Sequence, residues 1–248
     1  MSVPLLVEFF NALPEDALRG GLDWPVSQSI GERTERPTTT GKGGGKARRR
    51  AAIHVFTKQV QHHYFEGTLL RLLDHDEPQT RRAAVFALGL LGSPGINDLL
   101  AAHLHDEDEE VSRLASEALW SLWFRGDNTT HSDELYRILR LRDRDKALEA
   151  LNDLIERAPR FAEAYNQRAI LYFRLERYDR SAADCEAVLK LNPHHFGAQA
   201  GLGQCHLRLR KHRSALRAFR AALRIFPYLD GVAETVRALE NTLGEEGR

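Results

Sequence analysis

Cysteine and methionine are nearly missing from this chain, which has two cysteines and one methionine in 248 residues. Cys185 and Cys205 lie inside helical patterns without metal-type spacing, so neither a disulfide framework nor a thiolate metal centre is expected. Long apolar runs are missing too. No stretch approaches the ~18 uninterrupted apolar residues of a membrane span. The apolar start, "MSVPLLVEFF", has no basic segment before it and carries Glu8 within it, unlike a signal peptide. Net charge is also absent, with 35 basic against 35 acidic residues, which removes any overall pull toward nucleic acid or membrane. These absences predict a reduced, soluble, cytoplasmic protein with no membrane partner.

Catalytic signatures are equally scarce. There is no Gly-x-Ser-x-Gly elbow and no His-Glu-x-x-His, and both cysteines read as packing thiols. Eleven histidines raise the question of a metal. Adjacent pairs such as His62-His63 and His194-His195 point about 100° apart on a helix, so neither pair converges on one ion. The glycine-lysine run "TGKGGGKARRR" (40–50) resembles a phosphate loop only superficially. Thr40 stands where the first glycine belongs, and Ala47 stands where the magnesium-binding hydroxyl belongs. No metal, no cofactor and no catalysis are expected.

The zero net charge conceals blocks of alternating sign. Residues 33–63 hold eight basic and one acidic residue, 64–126 hold five against eleven, and 161–229 hold twelve against five. Such asymmetry points to interaction surfaces. Residues 31–50 combine Gly, Pro, Thr and basic residues without apolar periodicity, predicting a disordered linker, with helix from about Ala51. Its cations Lys42, Lys46, Arg48, Arg49 and Arg50 are a candidate phosphate or nucleic-acid cluster, set against the plainer reading of a solvated tether. Residues 1–30 predict a helical segment interrupted or restarted at Pro14.

Fixed periods organise the rest of the chain. Pro159, Pro193 and Pro227 are separated by 34 residues, and small or apolar residues recur in the same phase. These are Leu135, Ala169 and Gly203; Ala147, Ser181 and Ala215; Leu151, Cys185 and Phe219; Leu154, Val188 and Ala222. Small residues at a crossing with large ones beyond it suit close-packed antiparallel helix pairs. Together with Tyr165, Tyr172 and Tyr178 in the middle unit, this pattern resembles the tetratricopeptide repeat (TPR) family. The resemblance covers about 115 residues, and residues 229–243 read as a polar-faced capping helix.

A shorter repeat lies upstream. Residues 73–92 and 104–123 superimpose at a shift of 31, pairing Leu73 with Leu104, Thr80 with Val111, Ala84 with Ala115, Ala87 with Ala118 and Leu88 with Leu119. Each unit opens with an acidic turn suited to a helix N-terminus. The layout resembles HEAT-type repeats, in a group of short units that includes bilin lyases. Trp120 and Trp123, at the end of this segment, are expected to be buried at the junction with the following repeats.

The fold class expected is therefore all-α: a solenoid of helical hairpins, with residues 51–126 HEAT-like and 127–244 TPR-like. The TPR resemblance implies a non-enzymatic adaptor or scaffold whose concave groove holds an unidentified protein or peptide. Arg140, Arg174 and Arg208, again 34 residues apart, would line that groove late in each front helix and favour an acidic partner. Asn166, Gln204 and Tyr136 would add hydrogen bonds. Ser132 stands where a co-chaperone TPR would place a lysine, which counts against a chaperone-tail binder. Nucleic-acid association through the linker is the alternative, and a bilin-lyase-like enzyme on the HEAT half is a second one.

Overall fold

The computed structural model describes residues 4–18 and 44–246, and it is all-helical there. In chain order the helices are α1 (Leu5–Asn11), α2 (Glu15–Leu18), α3 (Gly44–His63), α4 (Glu66–Leu72), α5 (Pro78–Leu91), α6 (Asn97–Ala102), α7 (Glu109–Phe124), α8 (Thr129–Ile138), α9 (Arg144–Arg157), α10 (Ala162–Arg174), α11 (Tyr178–Leu191), α12 (Phe196–Arg208), α13 (His212–Ile225) and α14 (Val232–Glu246). The described residues divide into two compact units, 4–18 with 44–122, and 123–246.

In the first unit, the expected 31-residue register buries every paired position: Leu73 and Leu104, Thr80 and Val111, Ala84 and Ala115, Ala87 and Ala118, Leu88 and Leu119. Helix α1 lays Leu6, Val7 and Phe10 into this core, and Phe86 takes Phe10 and Phe56 edge-on at 5.7 and 5.3 Å. The chain re-enters helix after Pro14, as Pro at a helix start favours. The acidic turns do more than complement a helix dipole. Asp108 caps α7 by accepting from the Val111 N–H at 2.9 Å while it clamps Arg82 at 2.9 and 2.6 Å. Asp106 clamps Arg81 in the same way, at 2.9 and 2.8 Å.

One expectation is corrected here. Helix α3 begins at Gly44, so residues 44–50 are helix rather than linker. Ala47, Arg48, Arg49 and Arg50 are good helix formers. They extend a helix anchored by the buried Phe56 and Val60, which outweighs the ~1 kcal/mol cost of each glycine. Residues 31–43, the rest of that linker, lie outside the described residues.

In the second unit each helix packs on the next from α8 to α14, and α10 also meets α12. The joints α10–α11 and α12–α13 are three residues long, so these pairs are antiparallel hairpins. Both joints use one geometry. Glu176 and Arg210 take left-handed φ values of 59° and 57°, and the next amides donate back to Tyr172 O and His206 O at 2.9 and 2.8 Å. Gly203 is a point of close approach between α12 and α13, since a β-carbon there would sit 2.7 Å from the Phe219 ring. Helix α14 seals the end with Val232, Val236 and Leu239 against Ala215 and Phe219. Among the described residues, no helix is long and apolar enough to cross a membrane.

Trp123 belongs to this unit and is buried, whereas Trp120 is half-buried. The expectation that both tryptophans are buried therefore holds for Trp123 alone. Its indole stacks on the His195 imidazole at 4.0 Å and leans on Phe196 at 5.2 Å.

Candidate functional site

The three phased arginines occupy the ends of the front helices. Arg174 is the last residue of α10 and Arg208 the last of α12. Arg140 falls in the turn beyond α8, because Arg140 N–H and Leu141 N–H bond three residues back, to Arg137 O and Ile138 O, and wind the helix down early. Arg140 thus departs from its expected place inside a helix. All three are exposed, and none pairs with a carboxylate among the described residues.

Their surroundings differ. The Arg208 guanidinium carbon lies 5.7 Å from the Phe173 ring centroid and 5.9 Å from that of Tyr178, two rings that meet edge-on at 5.2 Å. Aromatic faces hold a cation in place without neutralising it. One repeat earlier, the residues in the phases of Phe173 and Tyr178 are Leu139 and Arg144. Arg174 accordingly has its pKa lowered, first by partial desolvation and then by the Arg144 cation. An arginine does not release its proton on this account, so Arg174 remains an exposed cation.

The other expected contacts gather elsewhere. Asn166 is buried, and its amide donates to Glu163 Oε1 at 3.0 Å, which withdraws it from the surface. Gln167 donates to the same oxygen at 2.7 Å. Glu163 Oε2 faces His195 Nε2 at 3.1 Å, and both residues are fully buried. Tyr136 is half-buried, with its ring stacked on Phe124 at 5.5 Å. Burial pushes its hydroxyl above the usual tyrosine range, opposed by Arg125 and reinforced by Glu163 and Asp133. Gln204 is half-buried in α12. Glu163 and Arg174 stand eleven residues apart on α10, about 16 Å along its axis. The structure therefore separates the helix-end arginines from Asn166, which belongs to a buried polar cluster around Glu163.

The linker cluster is broken up as well. Lys42 lies outside the described residues, and Lys46 is now within α3. Successive helical residues diverge by about 100°, so Arg48, Arg49 and Arg50 do not share a face. Arg48 and Arg50 are exposed, while the half-buried Arg49 acts on Glu117, whose carboxyl is raised mainly by burial. Among the described residues, no three His, Cys, Asp or Glu side chains gather as a metal site would require.

A tetratricopeptide-repeat model matches residues 138–188 and again 166–230. Residues 138–230 are tetratricopeptide repeats. A HEAT-repeat model matches residues 65–160, so α9 is shared by both patterns. A TPR repeat-containing protein of Rhizobium etli is 34% identical over 97 residues, covering 39% of this chain and 48% of that protein. The chain thus spans about half the length of that curated relative. Two solved TPR structures are similar to it. The first TPR of Spaghetti (RPAP3) bound to an HSP90 peptide is 19% identical, with a TM-score of 0.43 over 46% of this chain and 91% of that one. The TPR2AB domain of yeast Sti1 in an HSP90 complex is 15% identical, with a TM-score of 0.39 over 83% of this chain and 80% of that one.

Sequence reading missed two features of these TPR helices. The Glu163–His195 contact joins residues 32 apart, which no local pattern reveals. The exposed arginines of α13 were legible in principle, because residues 187–229 contain no Asp or Glu at all.

Proposed function

We propose that the TPR segment is a non-enzymatic adaptor surface that captures an acidic peptide segment along the arginine edge. The observation that carries this reading is the state of Arg174 and Arg208. Both are exposed at the ends of their helices, Arg208 is propped on Phe173 and Tyr178, and neither pairs with a carboxylate among the described residues. Forked guanidinium donors take carboxylates in two parallel hydrogen bonds. Arg140 extends the same edge by one repeat, and Gln204 lies on the helix that ends in Arg208. Front helices pack 8–10 Å apart and an extended chain rises about 3.3 Å per residue, so carboxylates about three residues apart would match successive arginines.

The test is titration of the full chain with a short fluorescent peptide bearing glutamates at every third position, against its glutamine twin. Arg174→Glu combined with Arg208→Glu should abolish binding of the acidic peptide while leaving helical circular dichroism intact. Equal affinity for both peptides, or retained affinity in the double variant, would overturn the reading.

A further inference from the structure

Helix α13 places four arginines on one solvent face. Arg213, Arg217, Arg220 and Arg224 stand at i, i+4, i+7 and i+11, a single stripe about 16 Å long. All four are exposed, while Ala215, Ala218, Phe219 and Ala222 on the opposite face are buried. The repeats themselves supply the comparison. One repeat earlier the same phases hold Asp179, Ala183, Glu186 and Lys190, and two repeats earlier they hold Asp145, Glu149, Asn152 and Glu156, all of them exposed as well. Solvation of this helical face is thus achieved with carboxylates in α9, and only α13 turns it wholly cationic.

Like charges at these spacings repel and destabilise the free helix slightly, which an external anion would relieve. Arg213 has no carboxylate partner among the described residues. Arg220 shares its guanidinium with Glu240 of α14, at 3.1 and 2.6 Å, but that pair is roughly half exposed and easily exchanged. Arg217 donates to the Ser214 hydroxyl at 2.9 Å. Just past the helix end stands Tyr228, 51% exposed, with its ring edge-on to Phe226 at 6.0 Å. A row of forked cations followed by an open aromatic face is the combination that tracks phosphates and stacks a base.

We propose that the arginine stripe of α13 binds the phosphate backbone of a single-stranded nucleic acid, with Tyr228 as a stacking platform at its end. This surface is distinct from Arg140, Arg174 and Arg208, and it does not depend on the peptide reading. It also differs from a linker site, since it uses none of Arg48, Arg49 and Arg50. A carboxylate chain would satisfy the guanidiniums but would have no use for an exposed ring.

The test is fluorescence anisotropy of the full chain with a fluorescein-labelled single-stranded DNA of about 16 nucleotides. Four phosphate contacts at the single-strand slope require binding to weaken about fiftyfold between about 50 and 200 mM salt. Arg213→Glu, Arg217→Glu and Arg224→Glu together should weaken binding at least tenfold at the lower salt and flatten the salt dependence. The reversed charges suit the fold, because α9 already carries carboxylates at three of these four phases. Tyr228→Ala should weaken binding severalfold without changing the salt slope. Replacing Arg48, Arg49 and Arg50 by alanine should leave binding unchanged. No binding at the lower salt, undiminished binding by the charge-reversed variant, or loss in the α3 variant instead would overturn the proposal. Competition by polyglutamate as strong as by unlabelled DNA would assign the stripe to an acidic protein and overturn it equally.

Discussion

His195 Nε2–H donates a hydrogen bond to the carboxylate of Glu163 at 3.1 Å, and neither side chain is reached by solvent. The direction of this bond follows from the other ring nitrogen. His195 Nδ1 accepts the Ala198 N–H at 3.0 Å as the cap of α12, so in the neutral ring the proton lies on Nε2. One imidazole thereby ties the first turn of α10 to the start of α12 beneath the indole of Trp123.

Removing Glu163 should therefore be costly. Glu163→Ala leaves the His195 ring and the amides of Asn166 and Gln167 without their acceptor in a buried place. The expected loss is about 3 kcal/mol or more, since each stranded polar group costs about 1–3 kcal/mol. Glu163→Gln keeps one acceptor oxygen and should cost less. Urea unfolding followed by circular dichroism measures both, and a loss below that of an ordinary surface substitution would refute the network's role.

Trp123 covers that network and is the tryptophan on which the second unit depends. Trp123→Ala should cost about 3–5 kcal/mol, the range for truncating a buried aromatic. Trp120→Ala should cost less because Trp120 is only half-buried. Thermal unfolding of the two variants orders them, and a reversed order would refute the dependence on Trp123.

Acid should weaken the first unit through its two arginine clamps. Burial raises Asp106, but the Arg81 hydrogen bonds and the Asp108 amide more than offset this, leaving its pKa below the usual value. Arg82, against a smaller burial effect and aided by the Val111 amide, holds Asp108 below it as well. Carboxyls depressed in the folded state stabilise it above their unfolded pKa, and that stabilisation is lost as pH falls through the folded value. Stability should thus decline below about pH 4. Asp106→Asn with Asp108→Asn should be less stable at neutral pH and lose much of this acid-induced decline, as measured by urea midpoints across pH.

Close approach at Gly203 is a fourth dependence. Gly203→Ala would drive a methyl to within 2.7 Å of the fully buried Phe219 ring, so α12 and α13 must separate. A loss of about 1–3 kcal/mol is expected despite alanine's better helix propensity. A stabilised variant would mean that α12 and α13 have room for the methyl, against this prediction.

Repeat phase was readable because each 34-residue unit must bury the same face against its neighbours, so Ala169, Gly203, Ser181, Cys185 and Phe219 recur where helices cross. Helix ends were less readable. Gly44 and Gly45 look like linker locally, yet α3 runs through them because its later turns are packed. The role of Arg168 is visible only in three dimensions. It clamps Asp184 at 2.8 and 2.7 Å while lying over the Tyr165 and Tyr172 rings.

The sequence by itself determined the helical class, the two repeat periods and the positions of the cations, because periodicity and charge are properties of spacing along the chain. It could also have revealed the α13 stripe, since comparison of equivalent phases needs no coordinates. Only the tertiary structure decided which polar residues remain available to a partner. Asn166 and Arg174 both read as groove contacts, but Asn166 is consumed by Glu163 in the interior while Arg174 stays at the edge beside Arg144. That outcome depends on which neighbours a fold brings within hydrogen-bond reach across helices, and spacing along one helix does not contain it.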